Sequence, residues 1–313
     1  MAQTLTEIRR TLEQAGLRPQ RMFGQNFLVD HNLLAKLVVL SGAGPGSAVL
    51  EVGPGTGVLT DALVEAGAVV LAVEIDRGLA ALLEDRYAAV PSVHLLNADV
   101  LAGKHRINPA VIAEANRLGL SPVHLVSNLP YNIATPLICE LLVGAVQADR
   151  GQASALACRD MTVTIQREVA QRLTAPPGSD AYGPAGVLAA VLGQVTGGPR
   201  LPPEAFWPRP TVASQMVRID VRPAGMDVVP DVDVLQQVIA AAFSQRRKKL
   251  AALLRRGDLP WPAGPLAEAM DAAGIDPDLR PERIAPAAYA SLAAHLARKI
   301  VGWRDLAKRP INP

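Results

Sequence analysis

The sequence predicts an open, mostly parallel α/β sheet followed by a smaller all-α domain. Three observations carry that prediction. From about Gly46, short β-branched runs alternate with helical stretches at βαβ spacing. A glycine-rich loop joins the first such strand to its helix. After Pro223 the pattern is helical by periodicity throughout. These place a catalytic-looking domain at 1–222, with an N-terminal helical arm, and a helical domain with a basic tail at 223–313.

Taken in order, Thr4 and Glu7 fit a capping box, opening an amphipathic helix that ends near Gly16. Residues 48–52 form a buried strand, 58–66 a helix stopped by Gly67, and 69–74 a second strand. Asp76 can cap a helix running to about Tyr87. A third strand at 93–96 ends at Asn97-Ala-Asp99, and a fourth at 123–127 ends at Asn128. A helix over 136–146 leads to a strand at 160–165 and a helix through Leu173. Residues 196–210 are dense in Gly and Pro and predict a long shaped loop. A further strand is expected over 211–219, then helices at 232–243, 247–255, 265–273 and 286–299.

Composition narrows the class. The 313 residues are 50% hydrophobic and 19% charged, enough for a full core and unlike a disordered chain. Two cysteines, Cys139 and Cys158, exclude a disulfide-built module, and five scattered histidines offer no paired ligand spacing, so no metal site is expected. There is no signal-peptide pattern and no long uncharged apolar run, so a cytoplasmic location without membrane attachment is expected. The net charge of +2 at first argues against nucleic acid, but it is unevenly divided. From Arg209 onward there are 16 basic against 11 acidic residues, leaving 15 against 18 before it.

The loop Glu51-Val-Gly-Pro-Gly-Thr-Gly57 has a G-x-G-x-G register, not the G-x-G-x-x-G of dinucleotide sites. Glu51 would repel a pyrophosphate yet suits a cationic, amino-acid-bearing ligand. The pattern resembles motif I of S-adenosylmethionine-dependent methyltransferases. In that setting Gly53 would lie against the cofactor. Glu74, ending the second strand, would accept from the ribose hydroxyls, and Asp99, ending the third, from the adenine amino group.

Asn128-Leu-Pro-Tyr131 follows the fourth strand and resembles the (D/N)-x-P-(Y/F/W) motif of amino-directed nucleic-acid methyltransferases. An exocyclic adenine amine is a weak nucleophile because its lone pair is delocalised into the ring. Acceptors aimed at both N–H groups, the Asn128 side-chain oxygen and the Leu129 carbonyl, would free that lone pair. Pro130 fixes the turn, and Tyr131 offers a face for a splayed-out base.

Ordered segments extend the likeness: Phe23-Gly-Gln-Asn-Phe-Leu-Val-Asp30, Asn128-Leu-Pro-Tyr-Asn132, Gln166-Arg-Glu-Val-Ala-Gln-Arg-Leu173, Ala181-Tyr-Gly183, Pro203-Glu-Ala-Phe-Trp-Pro-Arg-Pro210, Ala242-Phe-Ser-Gln-Arg-Arg-Lys248 and Gly274-Ile-Asp-Pro277. Over roughly residues 18 to 295 the chain resembles the bacterial small-subunit ribosomal RNA adenine dimethyltransferases. The resemblance implies a Rossmann-like sheet and two methyls on the N6 of each of two adjacent adenines near the end of the small-subunit RNA, within a 30S precursor. It also implies Asn26, Leu28, Gly53, Glu74, Asp99 and Asn128 at the cofactor, and Phe206 as a second wall for the base. The run Arg246-Arg247-Lys248-Lys249, with Arg255, would meet RNA phosphates. A monomer is expected.

Two departures stand out. Ala213 replaces the family's usual Asp, and 103–122 and 147–159 are longer than the family pattern and read as surface loops. Rival readings are a large-subunit adenine methyltransferase of the antibiotic-resistance type and a non-catalytic rRNA assembly factor. Leu129 and the Phe-Ser-Gln-Arg-Arg-Lys segment weigh against the first. Intact Gly53, Glu74, Asp99 and Asn128 weigh against the second.

Overall fold

The structure is a computed structural model describing residues 3–20, 23–103, 106–221, 229–245, 247–255 and 259–299. The chain divides into two units, Met1–Ala170 with Val195–Val221, and Gln171–Gln194 with Arg222–Pro313.

The first unit opens with helix α1 (Leu5–Gln14), where Thr4 and Glu7 cap each other reciprocally and Ile8 and Leu12 are buried. A two-residue strand β1 (Phe27–Leu28) precedes α2 (His31–Ser41), capped by Asp30. The alternating core then runs β2 (Ala48–Val52), α3 (Val58–Glu65), β3 (Val69–Glu74), α4 (Arg77–Tyr87), β4 (Val93–Asn97), α5 (Pro109–Arg117), β5 (Val123–Asn128), α6 (Ala134–Asp149) and β6 (Cys158–Gln166). Helix α7 (Arg167–Leu173) and α8 (Pro184–Leu192) lead to β7 (Gly193–Leu201), β8 (Phe206–Trp207) and β9 (Ser214–Val221).

Seven strands form one sheet in the order β4-β3-β2-β5-β6-β9-β7. Strands β4 through β6 pair in parallel, and β9 runs antiparallel to β6. From β2 the chain winds outward to β4, then returns to lay β5 on the other side of β2. That reversal makes a topological switch point, where open α/β sheets bind ligands beyond the strands' carboxyl ends. β2 and β3 are almost wholly buried, which is why they read as continuous apolar runs.

Several expectations need correction. The 103–122 stretch is not simply a loop: it contains α5, opened by the Asn108 cap with Pro109 in the first turn. Helix α6 extends to Asp149, into the second supposed loop. Residues 196–210 are not loop throughout, because β7 continues to Leu201 and β8 follows. β7 is the last strand of the sheet, and an edge strand tolerates the Gly and Pro that mimic a loop signal. α2 has no sequence signal above because Leu33 to Leu40 is apolar nearly all round, with no clean amphipathic stripe.

In the second unit, α8 packs with α9 (Val232–Ala242) and α12 (Pro286–Lys299), while α10 (Leu250–Leu254) and α11 (Ala263–Ala272) complete the bundle. Phe243 sits between Tyr182 and Tyr289, with ring centroids 6.2 and 6.0 Å away. Tyr182 donates to the Ile284 carbonyl and Tyr289 to the Pro281 carbonyl, so both buried hydroxyls are satisfied. The last crossing between units falls at Val221/Arg222, beside the expected boundary. A contiguous 1–222 domain does not result, because 171–194 groups with the helices, where apolar α8 finds its partners.

Candidate active site

A cleft partly open to solvent lies at the carboxyl ends of β2 to β5. Its floor is the Gly53–Gly57 loop. Gly53, Gly55 and Gly57 all have φ between +64° and +87°, the left-handed region that glycine enters without a Cβ penalty. Near the switch point the side chain of Ser127 supplements the ladder, its buried Oγ accepting from Val52 N at 2.8 Å. That serine is invisible to motif reading, since its role exists only once β2 and β5 are neighbours.

Three acids line the cleft, and among the described residues no Lys, Arg or His does. Glu74 is oriented by backbone donors, accepting from Asp76 N at 2.9 Å and Gly55 N at 3.2 Å, so each oxygen keeps a lone pair for a ligand hydroxyl. Asp99 is exposed at the rim, with Oδ1 accepting from Leu101 N. Glu51 is buried beneath the loop and accepts from Thr60 Oγ1 at 2.7 Å. Burial pushes the Glu51 carboxyl up from 4.5 to about 8, despite the Thr60 bond. The stability linked to this proton is fully present below 4.5 and is lost as pH rises through about 8. Glu51→Gln should therefore flatten the fall of melting temperature across that window; an unchanged slope in a pH series of thermal melts would refute the assignment.

The N-terminal arm covers one side. Phe23 to Leu28 line the cleft, including the expected Asn26 and Leu28. The amides of Gln20 and Gln25 both donate to Asp76 Oδ2 at 3.0 Å, and Gln3 donates to the Thr56 carbonyl at 2.9 Å. Asp76 thus does more than cap α4.

Asn128 ends β5 and donates through Nδ2 to the Asn26 carbonyl at 2.8 Å. That bond fixes which end of the amide is which, leaving Oδ1 as the acceptor. Leu129 is buried, its N–H donating to the Thr164 carbonyl, and Pro130 and Tyr131 continue the wall. Tyr131 is half-buried, with Oη 2.9 Å from Ser214 Oγ.

Phe206 is not in this wall. It is 3% exposed in the hydrophobic core, paired with Leu28 across β1 and β8, and does not line the cleft. Its neighbour Trp207 stacks on Phe27 and carries the Arg9 guanidinium 5.2 Å from its ring centre. The expected second wall is a strand anchor.

In the helical unit the basic run precedes a helix and does not form its face. α10 begins only at Leu250, with Lys249 as its cap residue. Arg247, Lys248 and Arg255 are exposed, and Lys249 pairs with Asp278 at 2.9 Å. Arg246, like the basic tail after 299, lies outside the described residues.

A doubly wound sheet with an acid-lined glycine loop at its switch point is that of a Rossmann-like methyltransferase. The profile described as ribosomal RNA adenine dimethylase matches residues 16–293, and the chain belongs to that family. It is 40% identical over 299 residues to ribosomal RNA small subunit methyltransferase A of Phenylobacterium zucineum, spanning 95% of each chain. The protein of the same name from Nocardia farcinica is also 40% identical, over 92% of this chain and 93% of that relative. Among solved structures, a dimethyladenosine transferase from Plasmodium falciparum matches with TM-score 0.66 and 18% identity, over 86% of this chain and 97% of that one. A 23S rRNA methyltransferase matches with TM-score 0.56 and 22% identity, over 87% and 100%. Both share the fold.

Proposed function

We propose that the protein transfers methyl groups from S-adenosylmethionine to the exocyclic N6 of two adjacent adenines near the 3′ end of small-subunit (16S) rRNA. It would act as a cytoplasmic monomer on a pre-ribosomal 30S particle during ribosome biogenesis. The observation that carries the reading is Asn128. Its donor end is satisfied by the Asn26 carbonyl, which leaves its acceptor end to receive a hydrogen bond from an amine N–H.

The cleft suits the cofactor on its own chemistry. Glu74 and Asp99, with no Lys, Arg or His beside them among the described lining residues, favour a ligand bearing a sulfonium and an ammonium over a pyrophosphate. Gly53 lets the backbone lie close, Glu74 and Asp99 would take the ribose and adenine, and Asn26 and Leu28 would close the arm side. When bound, S-adenosylmethionine supplies an electrophilic methyl group on a good leaving group. The chain's own work is then positioning. Asn128 Oδ1 and the Leu129 carbonyl hold the two N–H groups, and Tyr131 presents its ring to the base. The proton lost from the amine needs no strong base and passes to water.

The test is transfer from labelled S-adenosylmethionine to under-methylated small subunits, free RNA and large subunits, followed by nucleoside digestion. Dimethyladenosine from small subunits is expected; label confined to large subunits, or none, overturns the reading. Arg247 and Lys248 are, with Lys249 and Arg255, exposed cations expected to meet phosphate. Reversing the charges of Arg247 and Lys248 should lower the salt slope of subunit binding by about 1 to 2 units. An unchanged slope returns them to an ordinary solvated turn.

A further inference from the structure

The Tyr131 ring needs something to hold its plane, and β9 supplies it. Because β9 runs antiparallel to β6, its first residue lies at the carboxyl edge of the parallel strands, beside the cleft. That residue is Ser214, fully buried and in register with Gln166 at the end of β6. Its Oγ lies 2.9 Å from Tyr131 Oη. Asn128, two strands away from β9, is in register with Thr164 on the same β6. β6 therefore sets the separation between the residue that holds the amine and the residue that tethers the ring.

From this geometry we infer that Ser214 is a positioning residue that fixes the Tyr131 ring before the base arrives. The inference rests on the adenine-methylation reading above. Tyr131 acts through its ring face, and its hydroxyl serves as an anchor that makes no contact with the base. Burial raises the Tyr131 phenol above its ordinary value, consistent with a hydroxyl that stays protonated.

The tether matters most for the second methyl. A monomethylated amine is bulkier and must re-enter with its one remaining N–H aimed at an acceptor. A ring free to tilt lets the base settle in other poses, and fewer of them are productive. Loss of the tether should slow the second transfer more than the first, so monomethyladenosine accumulates.

The experiment is a double-mutant cycle with Ser214→Ala and Tyr131→Phe in the full-length protein, on under-methylated small subunits. Each single variant removes the same hydrogen bond, so each should slow the second transfer about 3- to 10-fold. The double variant should be no worse than either single, and the KM for S-adenosylmethionine should stay unchanged. Additive losses, or a wild-type ratio of mono- to dimethyladenosine in both single variants, would overturn the inference. If Ser214→Ala fails to fold, Tyr131→Phe alone decides through its product ratio, since it keeps the ring. Should the wild-type protein itself fail to methylate small subunits, the parent reading falls, which is a separate result.

Discussion

Replacing Asn128 with alanine is expected to slow methyl transfer by about 10²- to 10³-fold, the usual loss when one preorganised polar group is removed from a reacting centre. The side chain has two jobs at opposite ends. In the proposed reaction Oδ1 would accept from the amine, and Nδ2 ties β5 to the Asn26 carbonyl on the N-terminal arm at 2.8 Å. Cofactor affinity should weaken only a few-fold, because the arm keeps its Gln20 and Gln25 bonds to Asp76 and the Gln3 bond to Thr56. Asn128→Asp separates the two jobs. It keeps an acceptor for the amine but turns the other oxygen against a carbonyl, so it should disturb the arm more than alanine does. Single-turnover transfer and calorimetric cofactor binding measure the two effects independently. Near-normal turnover in Asn128→Ala would remove Asn128 from the chemistry.

The parallel core was legible because its signals are local. β2 and β3 are short apolar runs closed by a glycine loop or an acid, and their limits at 48–52 and 69–74 agree with the structure. The Thr4–Glu7 box needs only four residues, and it forms as expected. What stayed hidden depends on partners distant in the chain. Ser127 becomes a ligand for Val52 N only after β5 has crossed to β2. Ser214 meets Tyr131 only because β9 is antiparallel, and nothing in a single strand's sequence states its direction. Phe206 misleads for a related reason. An aromatic in a Pro-rich stretch looks available, but the β1–β8 pairing turns it into the core. The crossing of 171–194 into the helical unit is likewise invisible to a reading that cuts the chain once.

Gly55→Ala should be a severely damaging methyl at the cleft floor. Gly55 has φ +64°, and a Cβ there would lie 2.7 and 2.8 Å from two atoms of the Phe27 ring. Phe27 has little room to give way, since β1 is paired with β8 and the ring stacks on Trp207. The left-handed backbone costs roughly 1 kcal/mol and the overlap about 1–3 more, so a loss of about 2–4 kcal/mol is expected. Function should fall further than stability. Gly55 N also donates to Glu74 Oε2, so a displaced loop would release the carboxylate proposed to bind the ribose. Cofactor affinity should drop at least about tenfold, the worth of one charged hydrogen bond. Gly42→Ala is the matched control: φ is +66° at the end of α2, and nothing lies within 4 Å of the added methyl. It should cost only the backbone share, roughly 1 kcal/mol, and leave cofactor binding intact. Equal losses in both variants, by denaturant melts and calorimetry, would mean that backbone conformation alone explains the glycine. A large difference would place the requirement in the contact between the loop and Phe27, where the N-terminal arm meets the cofactor floor.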